Sequence, residues 1–123
     1  MPRSIAVLGA SPSRRKFGNK CVRAYQKLGY QVFPVHPTEA TVEGLPAFKS
    51  VLDIPHQSLD IASVYLPEAV ALAVLPELAQ KAIGQVWFNP GADAPAVLEL
   101  AKQLGLKVVT GCSIVAVGDM PDD

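Results

Sequence analysis

The chain has 123 residues, half of them hydrophobic and 18% charged, which suits one globular domain and speaks against a disordered segment. Eleven basic and eleven acidic residues cancel, which argues against a general nucleic-acid or membrane-surface binder, because both rely on excess positive charge. Any basic function must be local.

Short apolar runs alternate with helical patterns, the signature of βαβ units and a parallel sheet. Ser4–Leu8 is the first predicted strand. A helix opens at Gly18 or Asn19, carries Cys21, Val22, Tyr25 and Leu28 on one face, and stops at Gly29. Gln31–Val35 is the second strand, residues 36–45 a loop, and residues 48–52 a short helix before Pro55. Residues 60–66 form the third strand. Residues 67–81 form a helix that Pro76 should kink or split. Residues 85–88 are the fourth strand, and Asp93 is a candidate N-cap for a helix starting near Pro95, with Val97, Leu98, Ala101 and Leu104 facing inward. Residues 106–109 are the fifth strand, and the apolar part of the tail, residues 111–123, reads as a last strand or an oligomer contact. The expected fold is α/β: a Rossmann-like three-layer sandwich, its five-stranded, mostly parallel sheet ordered 3-2-1-4-5, with helices on both faces and one domain spanning residues 1–123.

The greasiest segment, IASVYLPEAVALAVLP, is interrupted by Pro67, Glu68 and Pro76 and is too short to span a bilayer. The apolar run of the first strand is too short for a secretory leader. Cys21 and Cys112 form no metal or redox motif. A reduced, cytoplasmic protein is expected.

Ligands in such sheets sit at the carboxyl ends of the strands, so the strand exits carry the functional reading. At the first exit, Gly9, Ala10 and Ser11 permit a tight turn that brings backbone N–H groups to an anion at the following helix start. The spacing is neither G-x-G-x-x-G nor a Walker A pattern, since the next glycine is Gly18. Arg14, Arg15 and Lys16 nevertheless place three cations beside the expected phosphate position. At the second exit, Val35, His36 and Pro37 offer no carboxylate for a ribose hydroxyl, and Glu39 lies further on, in a loop. NAD binders usually place an acid there. A ligand with an extra phosphate on its adenosine ribose, NADP or coenzyme A, suits cations better. Prolines at Pro37, Pro67 and Pro90 present flat apolar surfaces along the strand tips.

Taken in order, GAS followed by Gly18, VFPVHP, GLPAFKSVLDIP, DIASVYLPEAV, VWFNPGAD and GLKVVTGCSIV resemble the small single-domain CoA-binding proteins. These are stand-alone relatives of the CoA-binding domain of the succinyl-CoA synthetase α subunit. The resemblance implies that Gly9, Ala10, Ser11, Phe17, Gly18 and Asn19 hold a pyrophosphate and that Val35, His36 and Pro37 line the nucleotide. It also implies that Leu66 and Pro67 flank adenine, and that Asn89, Pro90 and Gly91 close the pantetheine side. His36 stands where relatives often have Asn, and Leu66 replaces the first residue of a Pro-Pro pair. The synthetase's phosphorylated histidine has no counterpart, because His36 and His56 both lie outside any matching motif. The expected function is binding of coenzyme A or acyl-CoA without catalysis, with no metal. Two readings stay open beside it: an NAD(P)-binding redox or sensor module, and an interaction subunit of a larger acyl-CoA enzyme. A homodimer is a further expected partnership. No Tyr-x-x-x-Lys pair supports the redox module. Cys112, after the fifth strand, is the one candidate nucleophile, against the commoner reading of a packed core cysteine.

Overall fold

The computed structural model describes residues 3–118. The elements in chain order are β1 (Ser4–Leu8), α1 (Phe17–Lys27), β2 (Gln31–Val35), the short hairpin β3 (Thr41–Val42) and β4 (Leu45–Pro46), β5 (Ser58–Val64), α2 (Glu68–Leu78), β6 (Ala82–Phe88), α3 (Pro95–Gln103) and β7 (Val108–Thr110). Single 3-10 turns lie at Val51–Asp53 and Val115–Val117.

The five long strands form one fully parallel sheet, ordered β2-β1-β5-β6-β7. It is the Rossmann-like α/β sandwich expected, with helices on both faces. Counted over the sheet strands alone the order is 2-1-3-4-5, so the third strand lies against the first and not outside the second, as 3-2-1-4-5 would have it. The reason is at the outer edge of β2. There Phe48 donates its N–H to Pro34 O (2.9 Å) and accepts from His36 N (2.9 Å), and Pro34 has no N–H to offer another strand. A proline within a strand belongs at an edge, so Pro34 was the available signal.

Strands covered on both faces read as continuous apolar runs, as β1 does. Ala6, Leu8, Ala62, Val64, Val86 and Phe88 face α2 and α3, whose Leu75, Leu78, Val97 and Ala101 complete one core. Ile5, Val7, Val32 and Ile61 face α1, where Cys21, Val22 and Tyr25 complete the other. Leu28, expected on the buried face of α1, is instead 52% exposed at its C-cap. Among the described residues the α1 face has one helix, and the segment after β7 covers part of the remainder. Ile114 is buried there, and Tyr25 donates its phenol O–H to Ser113 O (2.8 Å). Up to Gly118 that tail is therefore a loop with a 3-10 turn and not a last strand; residues 119–123 of the expected tail element lie outside the described residues.

Three further expectations are corrected. Residues 36–45 include β3 and most of a hairpin whose two-residue turn, Glu43–Gly44, has both residues at positive φ, +49° and +79°. α2 runs unbroken through Pro76, which sits in the last turn, two residues before the helix ends. Asp93 is not the cap of α3: Ala94 occupies that position with Pro95 as the first helical residue, and Asp93 Oδ1 accepts from Gly91 N (3.3 Å) instead. Among the described residues no helix is long and apolar enough to cross a membrane.

α2 is apolar nearly all round, yet only its inner face is buried: Leu75 is 1% exposed and Val70 45%. Leu75→Ala should cost about 2–5 kcal/mol in urea unfolding, through lost transfer energy plus the cavity left behind. Val70→Ala should stay within about 0.5 kcal/mol of the parent.

Candidate functional site

In a 2-1-3-4-5 sheet the chain reverses direction between β1 and β5, and the crevice at that switch point is where ligands bind. Here the backbone is packed to its limit. Gly9, at φ +88°, lies so close to Tyr65 that a Cβ would stand 2.2 Å from Tyr65 O. A Cβ on Gly18 would stand 2.1 Å from Gly9 O. Two glycines thus let the exit of β1, the exit of β5 and the first turn of α1 touch backbone to backbone.

Beside this contact lies a cleft of about 280 Å³ to which three exits contribute three residues each: Lys16, Phe17 and Gly18; Tyr65, Leu66 and Pro67; Pro90, Gly91 and Ala92. Its floor is mostly apolar, with Phe17 53% exposed and Lys20 Nζ 5.1 Å from the Phe17 ring centroid. At the rim, α1 starts with no side-chain cap and no acid in its first turn. The N–H groups of Phe17 and Gly18, as the first two helical residues, have no intrahelical acceptor and carry the positive end of the helix dipole. The arrangement suits an anion bearing an apolar or planar extension. A wider concavity, about 490 Å³, opens at the opposite, amino ends of the strands. Two of its charged groups are tied down: Asp60 Oδ2 accepts from Ser4 N (2.8 Å), and Lys81 Nζ donates to Ile54 O (3.0 Å) and His56 O, while Lys107 also lines it. Position at the carboxyl ends outweighs size.

Of the residues singled out in the sequence, the fold gathers Lys16, Phe17, Gly18, Leu66, Pro67, Pro90 and Gly91 around the cleft. Gly9, Ala10 and Ser11 form its supporting turn, in which Ser11 Oγ accepts from Ser13 N (3.0 Å). Arg14 and Arg15 stand exposed outside it. Val35, His36 and Pro37 lie at the β2 exit and do not line it. His36 Nδ1 accepts from Thr38 N (3.1 Å) and Glu39 N (2.9 Å), the turn-closing acceptor role that an Asn side chain fills equally well. Tyr65 and Ala92 complete the lining and were not singled out; Tyr65 directly follows the third strand, so its position was the signal.

Asn19 and Asn89 are buried, with their polar groups engaged inside the protein. Asn19 Nδ2 donates to Ser11 O (2.8 Å) and Glu43 Oε2 (3.0 Å), and its Oδ1 accepts from Arg23 Nε (2.7 Å). Asn89 Nδ2 donates to Ser63 Oγ (2.9 Å) and Val64 O (2.9 Å). Its Oδ1 accepts from Ser113 N (2.8 Å) and Ser113 Oγ (3.0 Å). Ser113 Oγ also meets Ser63 Oγ (2.8 Å) and the Tyr65 phenol (3.2 Å), and the Cys21 thiol donates to Ser63. This buried polar knot joins β5, β6, α1 and the tail under the cleft. Burial pushes both the Cys21 thiol and the Tyr65 phenol well above their ordinary values, so both stay neutral. Cys112 is half-buried at the edge of the α1-side core, and His56 packs its ring 4.9 Å from Phe33.

A parallel sheet with its cleft at the switch point and an uncapped helix start beside it defines a Rossmann-like α/β domain. Residues 3–118 match the CoA binding domain family, and the chain belongs to it. The α subunit of acetate–CoA ligase [ADP-forming] II of Pyrococcus furiosus is 31% identical over 121 residues, covering 88% of this chain and 26% of that protein. The 4-hydroxybutyrate–CoA ligase [ADP-forming] of Nitrosopumilus maritimus is 32% identical over 120 residues, covering 88% of this chain and 17% of its own length. The chain thus spans about a quarter or less of these relatives. A solved structure of a conserved hypothetical protein from Pyrococcus furiosus superposes with a TM-score of 0.82 at 28% identity, covering 93% of this chain and 98% of that one.

Two predictions follow from this geometry. Gly18→Ala should destabilise the fold by about 1–3 kcal/mol, because the obstacle is backbone and cannot swing aside, although Ala is the better helix former; chemical unfolding reads the sign. Stability should also fall at alkaline pH. Cys21 and Tyr65 ionise in the unfolded chain near their ordinary values, 9.0 and 10.0, and only at higher pH in the folded one. The unfolded chain therefore holds fewer protons above about pH 9, and stability is lost as pH rises from there. Tyr65→Phe should flatten that slope in unfolding measured from pH 8 to about 10.5.

Proposed function

We infer that this protein binds coenzyme A or an acyl-CoA at the cleft between the exits of β1, β5 and β6, and performs no chemistry of its own. The observation that carries this reading is membership of the CoA-binding family over residues 3–118, in a chain where the cleft sits at the position the fold reserves for nucleotides. The N–H groups of Phe17 and Gly18, with Lys16, take the pyrophosphate. Leu66 and Pro67 take the adenine, and Pro90 and Gly91 border the pantetheine arm. Arg14 and Arg15, exposed on the first loop, meet the 3′-phosphate in this reading. At about 280 Å³ the cleft is smaller than an ordinary small-molecule pocket of roughly 300–1,000 Å³, so much of so long a ligand lies over the surface. His36 acts through the turn it closes and not by touching the nucleotide. The working location is the cytoplasm.

The whole relatives are named as CoA ligases, and this chain corresponds to a minor part of them. That proportion supports a second reading, in which the domain serves as a binding subunit docked on a larger acyl-CoA enzyme. Gel filtration and pull-down with and without CoA separate it from a free-standing binder or a homodimer.

Calorimetry with CoA, dephospho-CoA, NAD and NADP tests the main reading. CoA should bind tightest, and dephospho-CoA roughly 10- to 150-fold weaker, as one charge-assisted contact is worth about 1.5–3 kcal/mol. NADP binding at least as tightly as CoA would sink the assignment, and equal affinity for CoA and dephospho-CoA would remove the arginines from it. His36→Asn should keep wild-type affinity and stability, whereas His36→Ala, which loses the turn, should unfold about 1 kcal/mol more easily.

A further inference from the structure

The β3–β4 hairpin carries a feature that the cofactor reading does not use. Glu43, at its tip, is the only non-glycine among the described residues with positive φ, +49°. A two-residue turn of this kind favours Asn, Asp or Gly at that place, and a longer side chain there costs free energy unless something holds it. Its anchors are on the phosphate loop and α1. Glu43 Oε2 accepts from Asn19 Nδ2 (3.0 Å) and lies 3.8 Å from Arg14 Nε, and its main-chain O accepts from Gln26 Nε2 (3.4 Å). The side chain is 22% exposed.

These contacts run into the first loop. Asn19, fully buried, passes the connection to Ser11 O, while Arg23 donates to both Asn19 Oδ1 and Arg14 O (2.9 Å). Glu43 thus brings a carboxylate to the start of α1, a helix with no acid in its own first turn, where a negative charge is favoured by the dipole. Its charge faces Arg14, a cation that an incoming phosphate would seek.

We propose that Glu43 is a specificity-determining residue of the anion-binding loop, acting as a resident counter-charge. It holds the loop between Ser11 and Arg14 in its binding shape and partly neutralises Arg14, so that a ligand phosphate at Arg14 must compete with it. This rests on the anion-binding reading above and adds to it which residue sets the strength and charge selectivity of that loop.

The test compares wild type with Glu43→Gln, which keeps an acceptor for Asn19 but loses the charge. Glu43→Gly serves as a second variant because it relieves the positive φ but removes both the charge and an acceptor for Asn19, so that its difference from Glu43→Gln reads the shape-holding part of the role. Each is titrated with CoA, dephospho-CoA and inorganic diphosphate at low and high salt, with thermal unfolding as the check on folding. Glu43→Gln should bind CoA roughly 2- to 5-fold tighter at low salt, with the gain shrinking at high salt as screening weakens the competition that the charge exerts in wild type; Glu43→Gly, which also strips Asn19 Nδ2 of an acceptor, should gain less. A gain seen with CoA but not dephospho-CoA assigns the Arg14 contact to the 3′-phosphate; a gain shared with diphosphate assigns it to the pyrophosphate. Unchanged or weaker binding of all three ligands by folded Glu43→Gln overturns the proposal while leaving CoA binding intact. Wild type that binds diphosphate in a Glu43-dependent way but ignores CoA would overturn the cofactor assignment and keep the role of Glu43. Binding of neither ligand overturns both.

Discussion

At the carboxyl end of the sheet three stretches of backbone stand closer together than any side chain would allow. Gly18 rests on the carbonyl of Gly9, and Gly9 on the carbonyl of Tyr65. The start of α1 is thereby lodged directly over the switch point, and the cleft formed with the β5 and β6 exits follows from that placement. A Cβ at either glycine would push α1 outward and widen the gap between its free N–H groups and the cleft. Shape and electrostatics at the site therefore share one origin, the absence of two methyl groups.

A second layer keeps this arrangement in place from below. Asn89, Ser63, Ser113 and Tyr65 satisfy one another in a buried knot, and no buried side-chain polar atom among the described residues lacks a partner. A fully satisfied network of this kind has one geometry and is expensive to break. Asn19 does the same for the first loop by linking α1 to Ser11 and to the hairpin. The side-chain amides of Asn19 and Asn89 are engaged inside the protein, where they position the residues that line the cleft. The groups left facing outward are backbone N–H, apolar side chains and lysine, a combination that favours a phosphate attached to something flat or greasy.

The charge balance of the chain is also resolved locally. A neutral protein can still present a cationic loop, because Arg14, Arg15 and Lys16 are adjacent in sequence and cannot be diluted by folding. What folding adds is Glu43, brought from a hairpin 29 residues after Arg14 to stand 3.8 Å from its guanidinium. A loop that reads as purely basic is thus tempered by an acid from elsewhere.

The sequence by itself determined the elements and their class. β1 and β2 fall where alternation of apolar runs and turns puts them, since a buried parallel strand must be apolar on both faces. The first-exit glycine, the three cations and the prolines at the later exits were legible for the same reason: their chemistry is local. Tertiary structure decided what depends on contacts between distant segments. It seated the third strand beside β1, because Phe48 and Pro34 close the outer edge of β2. It ran α2 through Pro76, because Leu75 and Leu78, buried in the core, hold the last turn in place despite the N–H that proline lacks. It turned Asn19 and Asn89 inward as scaffold, engaged His36 in its own turn, and brought Tyr65 to the cleft and Glu43 to Arg14. Periodicity reports which faces are buried, but not which buried polar atom finds which partner, and at this cleft that pairing separates the residues that line it from those that hold it.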